Sequence, residues 1–270
     1  MENTSIAFIG GGNMARALIV GLLQAGHPAR SLIVADPNEA ARQSAAADFG
    51  VCVTASNREA VDDVEVVVLA VKPQIMPKVL EDLAETLNAG ALVISVAAGI
   101  TLAGLARGLG EDLAMVRAMP NTPALYGAGM TGMVANAAVD RSGRALAEQI
   151  LAATGQTLWL EDEALMDVVT AVSGSGPAYF FALTEQLALA GERAGLSPAA
   201  AAQLARQTAF GAGLMLVESG LGAAELRMRV TSPGGTTQAA LESMGQDGFE
   251  RLVGRAVSAA IQRGRELGKH

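Results

Sequence analysis

The apolar positions in the first part of the chain come in short unbroken runs: SIAFI (Ser5–Ile9), SLIVA (Ser31–Ala35), VEVVVLA (Val64–Ala70), ALVISV (Ala91–Val96) and LAMVRA (Leu113–Ala118). Between them the apolar residues recur at helical spacing, as in Met14–Ala25, Glu39–Phe49 and Pro77–Leu87. Runs rich in β-branched residues, with no polar alternation, predict strands buried on both faces. Strands that alternate with helices predict a doubly wound α/β domain, with a parallel sheet and right-handed crossovers. Two more short strands are expected near Gly132–Val134 and Thr157–Leu160, closing the domain.

After Glu161 the pattern changes. The strand-like runs stop, and helical periodicity continues through Leu165–Val172, Ala178–Ala194, Pro198–Glu218, Ala223–Val230, Thr237–Met244 and Phe249–Leu267. LSPAA (Leu196–Ala200) is a helix start, with Ser197 as N-cap and Pro198 at the first helical position. Ala, Gly and Met crowd the faces of these helices, and small residues permit close helix approach. So many apolar positions in so short a region imply a face covered by another subunit. The division expected is therefore an α/β domain, residues 1–161, followed by an all-helical domain, residues 162–270.

Composition narrows the class. The chain has 270 residues, 51% hydrophobic and 17% charged, which is a globular balance. A net charge of −8 with no basic tract argues against nucleic acid or an anionic membrane as partner. The single cysteine, Cys52, excludes an intrachain disulfide and a cysteine-built metal site. No metal is expected. MENTSIAFIGGG does not read as a signal peptide. The uncharged run from Ala118 to Val139 is long enough to span a bilayer. It contains Pro120, Asn121, Pro123, Gly127, Gly129 and Gly132, so it reads as strand, turn and strand. A soluble cytoplasmic protein is the expectation.

The chemistry begins at IAFIGGGNMARAL. Gly10, Gly12 and Ala15 form G-x-G-x-x-A where the first strand meets the first helix. The first glycine permits a tight turn, the second lets backbone approach a pyrophosphate, and the small third residue lets helix and strand pack. The diphosphate then lies on the free N–H groups of the helix N-terminus. The second strand ends in Asp36, where an acid takes a ribose 2′-OH and repels a 2′-phosphate. Asp36 also fits a second role, capping the helix that follows Pro37 and Asn38. Arg42, a turn further on, is within reach of a phosphate. LAVKPQ (Leu69–Gln74) places Lys72 and Pro73 at the carboxyl edge of the sheet, and SVAAGI (Ser95–Ile100) is a second small-residue turn at that edge.

The missing groups carry information too. His27 and His270 are the only histidines, and no lysine lies between Lys78 and Lys269. A carbonyl reduction needs an acid for the developing alkoxide, and the helical half offers no histidine or lysine before Lys269 and His270. A C=N bond needs less, because an imine protonates from solvent. TSPGGTT (Thr231–Thr237) suits that case: Gly234 and Gly235 turn the chain, and Thr236 and Thr237 open a helix whose N–H groups suit a carboxylate. The Thr237 hydroxyl is then available to a ring nitrogen.

Taken together, IGGGNMARA, LAVKPQ, SVAAGI, RAMPNTPA (Arg117–Ala124), VSGSGPAYFF (Val172–Phe181), RQTAFGAG (Arg206–Gly213) and TSPGGTT resemble the pyrroline-5-carboxylate reductases, in that family's order and spacing. The resemblance implies a Rossmann-type dinucleotide-binding domain and a helical dimerisation domain. It implies NADPH or NADH as cofactor, a small-molecule cyclic imine as substrate, and a homodimer that assembles into decamers in many members. It places the nucleotide on Gly10, Gly11, Gly12, Asn13, Met14, Asn57, Ala70, Val71, Lys72, Pro73, Ala97, Ala98 and Gly99. It places substrate on Ser232, Thr236 and Thr237, with Thr237 as the catalytic hydroxyl and Glu163 nearby. Asp36 departs from the small polar or basic residue that many NADPH-using members carry. Ala240 stands where many members have glycine. Two other functions fit the layout: a 3-hydroxy-acid dehydrogenase, which would want a lysine in the helical half, and a nucleotide sensor without turnover.

Overall fold

The computed structural model describes residues 4–268. Packing divides the chain into a first unit that runs to Ser175 and resumes at Ala260, and a second unit, Gly176–Ala259. Residues 162–175, expected with the helices, thus pack with the sheet.

The first unit runs β1 (Ile6–Ile9), α1 (Asn13–Gln24), β2 (Leu32–Ala35), α2 (Glu39–Phe49), β3 (Cys52–Thr54), α3 (Asn57–Ala60), β4 (Val66–Leu69), α4 (Met76–Leu83), β5 (Leu92–Ser95) and α5 (Leu102–Leu109). It continues with β6 (Ala114–Met119), β7 (Gly129–Ala135), α6 (Arg141–Ala152), β8 (Gly155–Trp159) and the single turn α7 (Met166–Val169). The strands form one sheet in the order β3-β2-β1-β4-β5-β6-β7-β8. β1, β4 and β5 are fully buried along their length, as their unbroken apolar runs require. Each face carries its own core: Phe8, Leu18, Val68 and Ile150 on one, Ile9, Val67, Leu80 and Leu105 on the other.

Two features depart from the expected sheet. β7 runs antiparallel to β6, pairing Val116 with Ala135 and Met119 with Gly132. The connection through Thr122–Tyr126 is a short 3-10 turn with no crossover helix, and such a link can only reverse the chain. α6 then provides the crossover that makes β8 parallel to β7. β3 was not read from the sequence. It is an edge strand of three residues with Cys52 exposed, and it lacks the long apolar run of the central strands.

Helix starts follow local chemistry. Asn38 caps α2, Ser56 caps α3, Thr101 caps α5 and Asp140 caps α6, each accepting from a backbone N–H in the first turn. The helix expected over Leu165–Val172 is instead α7 followed by a π-type turn, Thr170–Gly174, closed by Ser175 N–H on the Thr170 carbonyl. Such turns recur at functional sites.

The second unit holds α8 (Gly176–Arg193), α9 (Pro198–Glu218), α10 (Ala223–Arg229), α11 (Thr236–Gln246) and most of α12 (Phe249–Leu267), whose last turns belong to the first unit. The Ser197 hydroxyl accepts from Ala200 N–H at 3.3 Å, as its N-cap position predicts. Within the single chain, α8 and α9 expose Phe180, Phe181, Leu187, Phe210, Leu214 and Val217. No helix of the described residues is long and apolar enough to cross a membrane.

Candidate functional site

The glycine turn lies at the carboxyl edge of the sheet, between β1 and α1. Gly10 has φ +97°, and its N–H donates to the Ala35 carbonyl at 2.7 Å. A Cβ there would stand 2.8 Å from the Ala70 carbonyl oxygen. Gly12 is extended, and a Cβ on it would meet nothing within 4 Å, so the space in front of it is open. α1 begins with no side-chain cap and no acidic residue in its first turn. Its N–H groups and dipole therefore face that space uncompensated, which suits a phosphate.

In front of the turn is a cleft of about 770 Å³, lined by Gly10, Gly12, Asp36, Asn57, Ala70, Val71 and Lys72 among others. Seven of the expected nucleotide residues, from four separate loops, thus share one cavity whose volume suits a nucleotide. Gly11, Asn13 and Met14 complete the turn and the first residues of α1 beside it. Pro73 opens a 3-10 turn at the end of the LAVKPQ segment. Ala97, Ala98 and Gly99 follow β5 and do not line this cleft. Ala97 is buried, and Gly99, at φ +78°, lies against Leu267 in the last turn of α12.

Asp36 does not cap α2, since Asn38 does. One Asp36 carboxylate oxygen accepts from Gly11 N–H at 2.8 Å and the other from Asn38 N–H at 2.8 Å. The carboxylate is thereby fixed beside the glycine turn, with lone pairs left for a ribose hydroxyl. Arg42 donates to the Asp36 and Pro37 carbonyls, at 2.8 and 3.0 Å, and buttresses the same corner. The opposite wall holds the expected Asn57 together with Arg58, Lys78, Glu81 and Asp82, which sequence reasoning missed. Asn57 and Arg58 both bond Asp82, at 3.1 and 2.9 Å, and Lys78 and Glu81 stand nearby on α4. Only the folding of α3 against α4 joins these pairs, and no local motif marks them.

MPNTPA and SGSG meet in space. The Asn121 side chain donates to the Ser173 carbonyl at 3.1 Å and accepts from Met130 N–H at 2.9 Å. A Cβ on Gly174 would stand 2.7 Å from the Met119 methyl. Glu163, expected beside substrate, has one oxygen engaged twice, by Arg117 at 2.7 Å and by Leu102 N–H at 2.9 Å.

In the second unit, Gly234 takes φ +70° and its N–H donates to the Gln238 side chain at 2.7 Å. Gly235 opens α11, which has neither a side-chain cap nor an acid in its first turn. Among the described residues, the hydroxyls of Ser232, Thr236 and Thr237 make no hydrogen bond, so all three remain available.

Comparison with known proteins agrees with both halves. A family model described as pyrroline-5-carboxylate reductase dimerisation matches residues 163–267, and one described as NADP oxidoreductase, coenzyme F420-dependent, matches residues 5–99. The first of these implies that the chain forms oligomers. A pyrroline-5-carboxylate reductase of Pseudomonas aeruginosa is 51% identical, over 99% of this chain and 98% of that protein. One from Haemophilus influenzae is 41% identical, over 99% and 98%. Among solved structures, a pyrroline-5-carboxylate reductase from Coxiella burnetii superposes with a TM-score of 0.94 at 39% identity, covering 99% of this chain and all of that one. A Plasmodium falciparum pyrroline carboxylate reductase with NADP bound gives 0.87 at 31% identity, with 99% of each chain covered. With a glycine turn built for a dinucleotide, an uncapped threonine-bearing helix start, and relatives of this identity along its whole length, the chain belongs to the pyrroline-5-carboxylate reductase family.

Proposed function

We propose that the protein reduces 1-pyrroline-5-carboxylate to L-proline with NADPH or NADH, the closing step of proline synthesis. The bound dihydronicotinamide supplies the hydride that reduces the C=N carbon. Gly10, Gly11, Gly12 and the start of α1 hold the diphosphate, Asp36 the adenine-side ribose, and Ala97–Gly99 the nicotinamide end. Ser232 and the first N–H groups of α11 hold the substrate carboxylate. The Thr237 hydroxyl hydrogen-bonds the ring nitrogen and orients the imine. Catalysis is then mainly the positioning of two bound reactants.

The observation that carries this chemistry is the start of α11. It presents three free hydroxyls and an open helix N-terminus, and no side chain from Thr231 to Thr237 titrates near neutrality. A helix start without an acid or base of its own suits an imine better than a ketone. The test is a nucleotide-oxidation assay with the five-membered imine, the six-membered imine as comparison, and NADH and NADPH in parallel. Thr237→Ala is expected to lower turnover about tenfold to a hundredfold while nucleotide affinity holds. Full turnover in that variant would remove Thr237 from the mechanism.

The same reading makes the protein a cytoplasmic homodimer, joined through the helices of residues 162–270. Active-site groups then come from both protomers, and the dimers associate further into a decamer. Solution mass measurements test both stages.

A further inference from the structure

We infer that Arg117 and Glu163 are positioning residues for hydride transfer, because they set the loop Ala97–Gly99 against the nicotinamide end of the dinucleotide. The inference rests on the proposed contact between that loop and the nicotinamide.

The loop leaves β5 at Ser95 and ends where α5 begins at Leu102. At its start it is held by the sheet, with Val96 N–H on the Leu69 carbonyl at 3.1 Å. At its end the Thr101 hydroxyl caps Gly104 N–H at 3.0 Å, which leaves the Leu102 N–H unmatched by α5 itself. Glu163 fills that place. Its Oε1 accepts from Leu102 N–H at 2.9 Å across 61 residues of sequence.

The carboxylate is in turn fixed by Arg117, whose guanidinium donates to the same oxygen at 2.7 Å. Arg117 stands on β6 directly beside Ser95, its register partner and the last residue of β5. Its side chain is only 7% exposed and that of Glu163 28%. A half-buried carboxylate with a buried guanidinium partner holds its place far better than a solvated pair. On its other side, Gly99 faces Leu267 so closely that a Cβ there would stand 3.5 Å from the Leu267 Cβ. The loop is thus clamped at both ends and along one flank, and the Arg117–Glu163 pair is the part of the clamp that lies outside the loop's own sequence. An isolated surface ion pair would need neither the burial nor the bond to a helix's first N–H.

The experiment compares Glu163→Gln and Glu163→Asp with the unaltered protein in three measurements: melting temperature, affinity for the intact reduced dinucleotide and for the corresponding ADP-ribose fragment that lacks nicotinamide, and the split between kcat and KM. Ala98→Val, a change in the loop itself, reports whether the loop meets the nicotinamide. The expected result is a loss of about tenfold or more in kcat for Glu163→Gln, with weaker binding of the intact dinucleotide and unchanged binding of the fragment. Glu163→Asp keeps the charge but withdraws it from Leu102, so it falls between. If Glu163→Gln fails to fold, Glu163→Asp decides the question alone by the same selective loss. Equal loss of both affinities in step with melting would reduce the pair to a fold-stabilising bridge and overturn the inference. So would unchanged kinetics in both Glu163 variants while Ala98→Val shows the selective loss, and in that case the loop contact itself stands. No selective loss in Ala98→Val would overturn the loop contact, and the inference with it.

Discussion

Adding one methyl group at Gly10 and, separately, at Gly12 should give two different failures. At Gly10 the backbone has φ +97°, where an L side chain costs about 1–2 kcal/mol. The new Cβ would also lie 2.8 Å from the Ala70 carbonyl oxygen and 3.0 Å from a Val71 methyl. Ala70 cannot retreat freely, because its N–H is bonded to the Ile9 carbonyl at 2.9 Å and continues the β1–β4 ladder. Overpacking of this kind adds about 1–3 kcal/mol. The sum, about 2–5 kcal/mol, lowers the melting temperature by roughly 5–15 °C for a domain of this size. At Gly12 the φ is −72° and a Cβ meets nothing within 4 Å. Gly12→Ala should therefore cost about 1 kcal/mol or less, from the poorer N-cap. Its methyl group, however, enters the space through which backbone approaches a pyrophosphate. Nucleotide affinity should fall by about tenfold or more, since lost phosphate contacts of this kind are worth over 1.4 kcal/mol. Thermal melts and nucleotide titration on both variants separate the two effects. Unchanged nucleotide affinity in a folded Gly12→Ala protein would refute the placement of the diphosphate. Unchanged melting in Gly10→Ala would refute the steric argument.

Asp36→Ser removes a fixed charge from the ribose corner. A carboxylate about 5 Å from a phosphate costs about 1–2 kcal/mol per unit charge at an effective dielectric of ~40–80, so the ratio of kcat/KM with NADPH to that with NADH should rise about tenfold. An unchanged ratio in paired assays would mean that Asp36 does not face the 2′ position. Asp140 holds the start of α6, and the Gly143 amide, then the Ser142 hydroxyl, keeps its carboxyl below the ordinary value. A depressed folded pKa contributes stability that is complete above the unfolded carboxylate pKa and is lost as pH falls through the folded one. The stability gap between the unaltered protein and Asp140→Ala should thus be widest near neutrality and close in acid, as read by denaturant unfolding across pH. Phe210→Asp places a charge on the exposed apolar face of α9, and light scattering should show a shift toward smaller species, while an unchanged mass would place the subunit contact elsewhere.

The sequence by itself determined the strands and their cofactor turn. Burial on both faces writes continuous apolar runs, so β1, β2, β4, β5 and β6 were legible to within one or two residues. Ser197 and Pro198 marked the start of α9, and helical spacing gave α2 its bounds, although Asn38 and not Asp36 caps it. The glycine turn was legible because only glycine tolerates the backbone at position 10, a constraint that acts within a few residues. The start of α11 was legible for the same reason, because two glycines and two threonines leave little else for the chain to do. The tertiary structure decided what depends on residues distant in the chain. The reversal at β7 follows from a connection too short for a crossover, and β3 exists as a strand because β2 offers it an edge. Arg58 reaches Asp82 only after α3 and α4 have packed, and Glu163 finds Leu102 and Arg117 only when the turn after β8 folds back beside β5 and β6. Local rules reach across a turn of helix or a hairpin. A carboxylate and its guanidinium 46 residues apart meet because the sheet order brings them together, and no spacing in the sequence records that order.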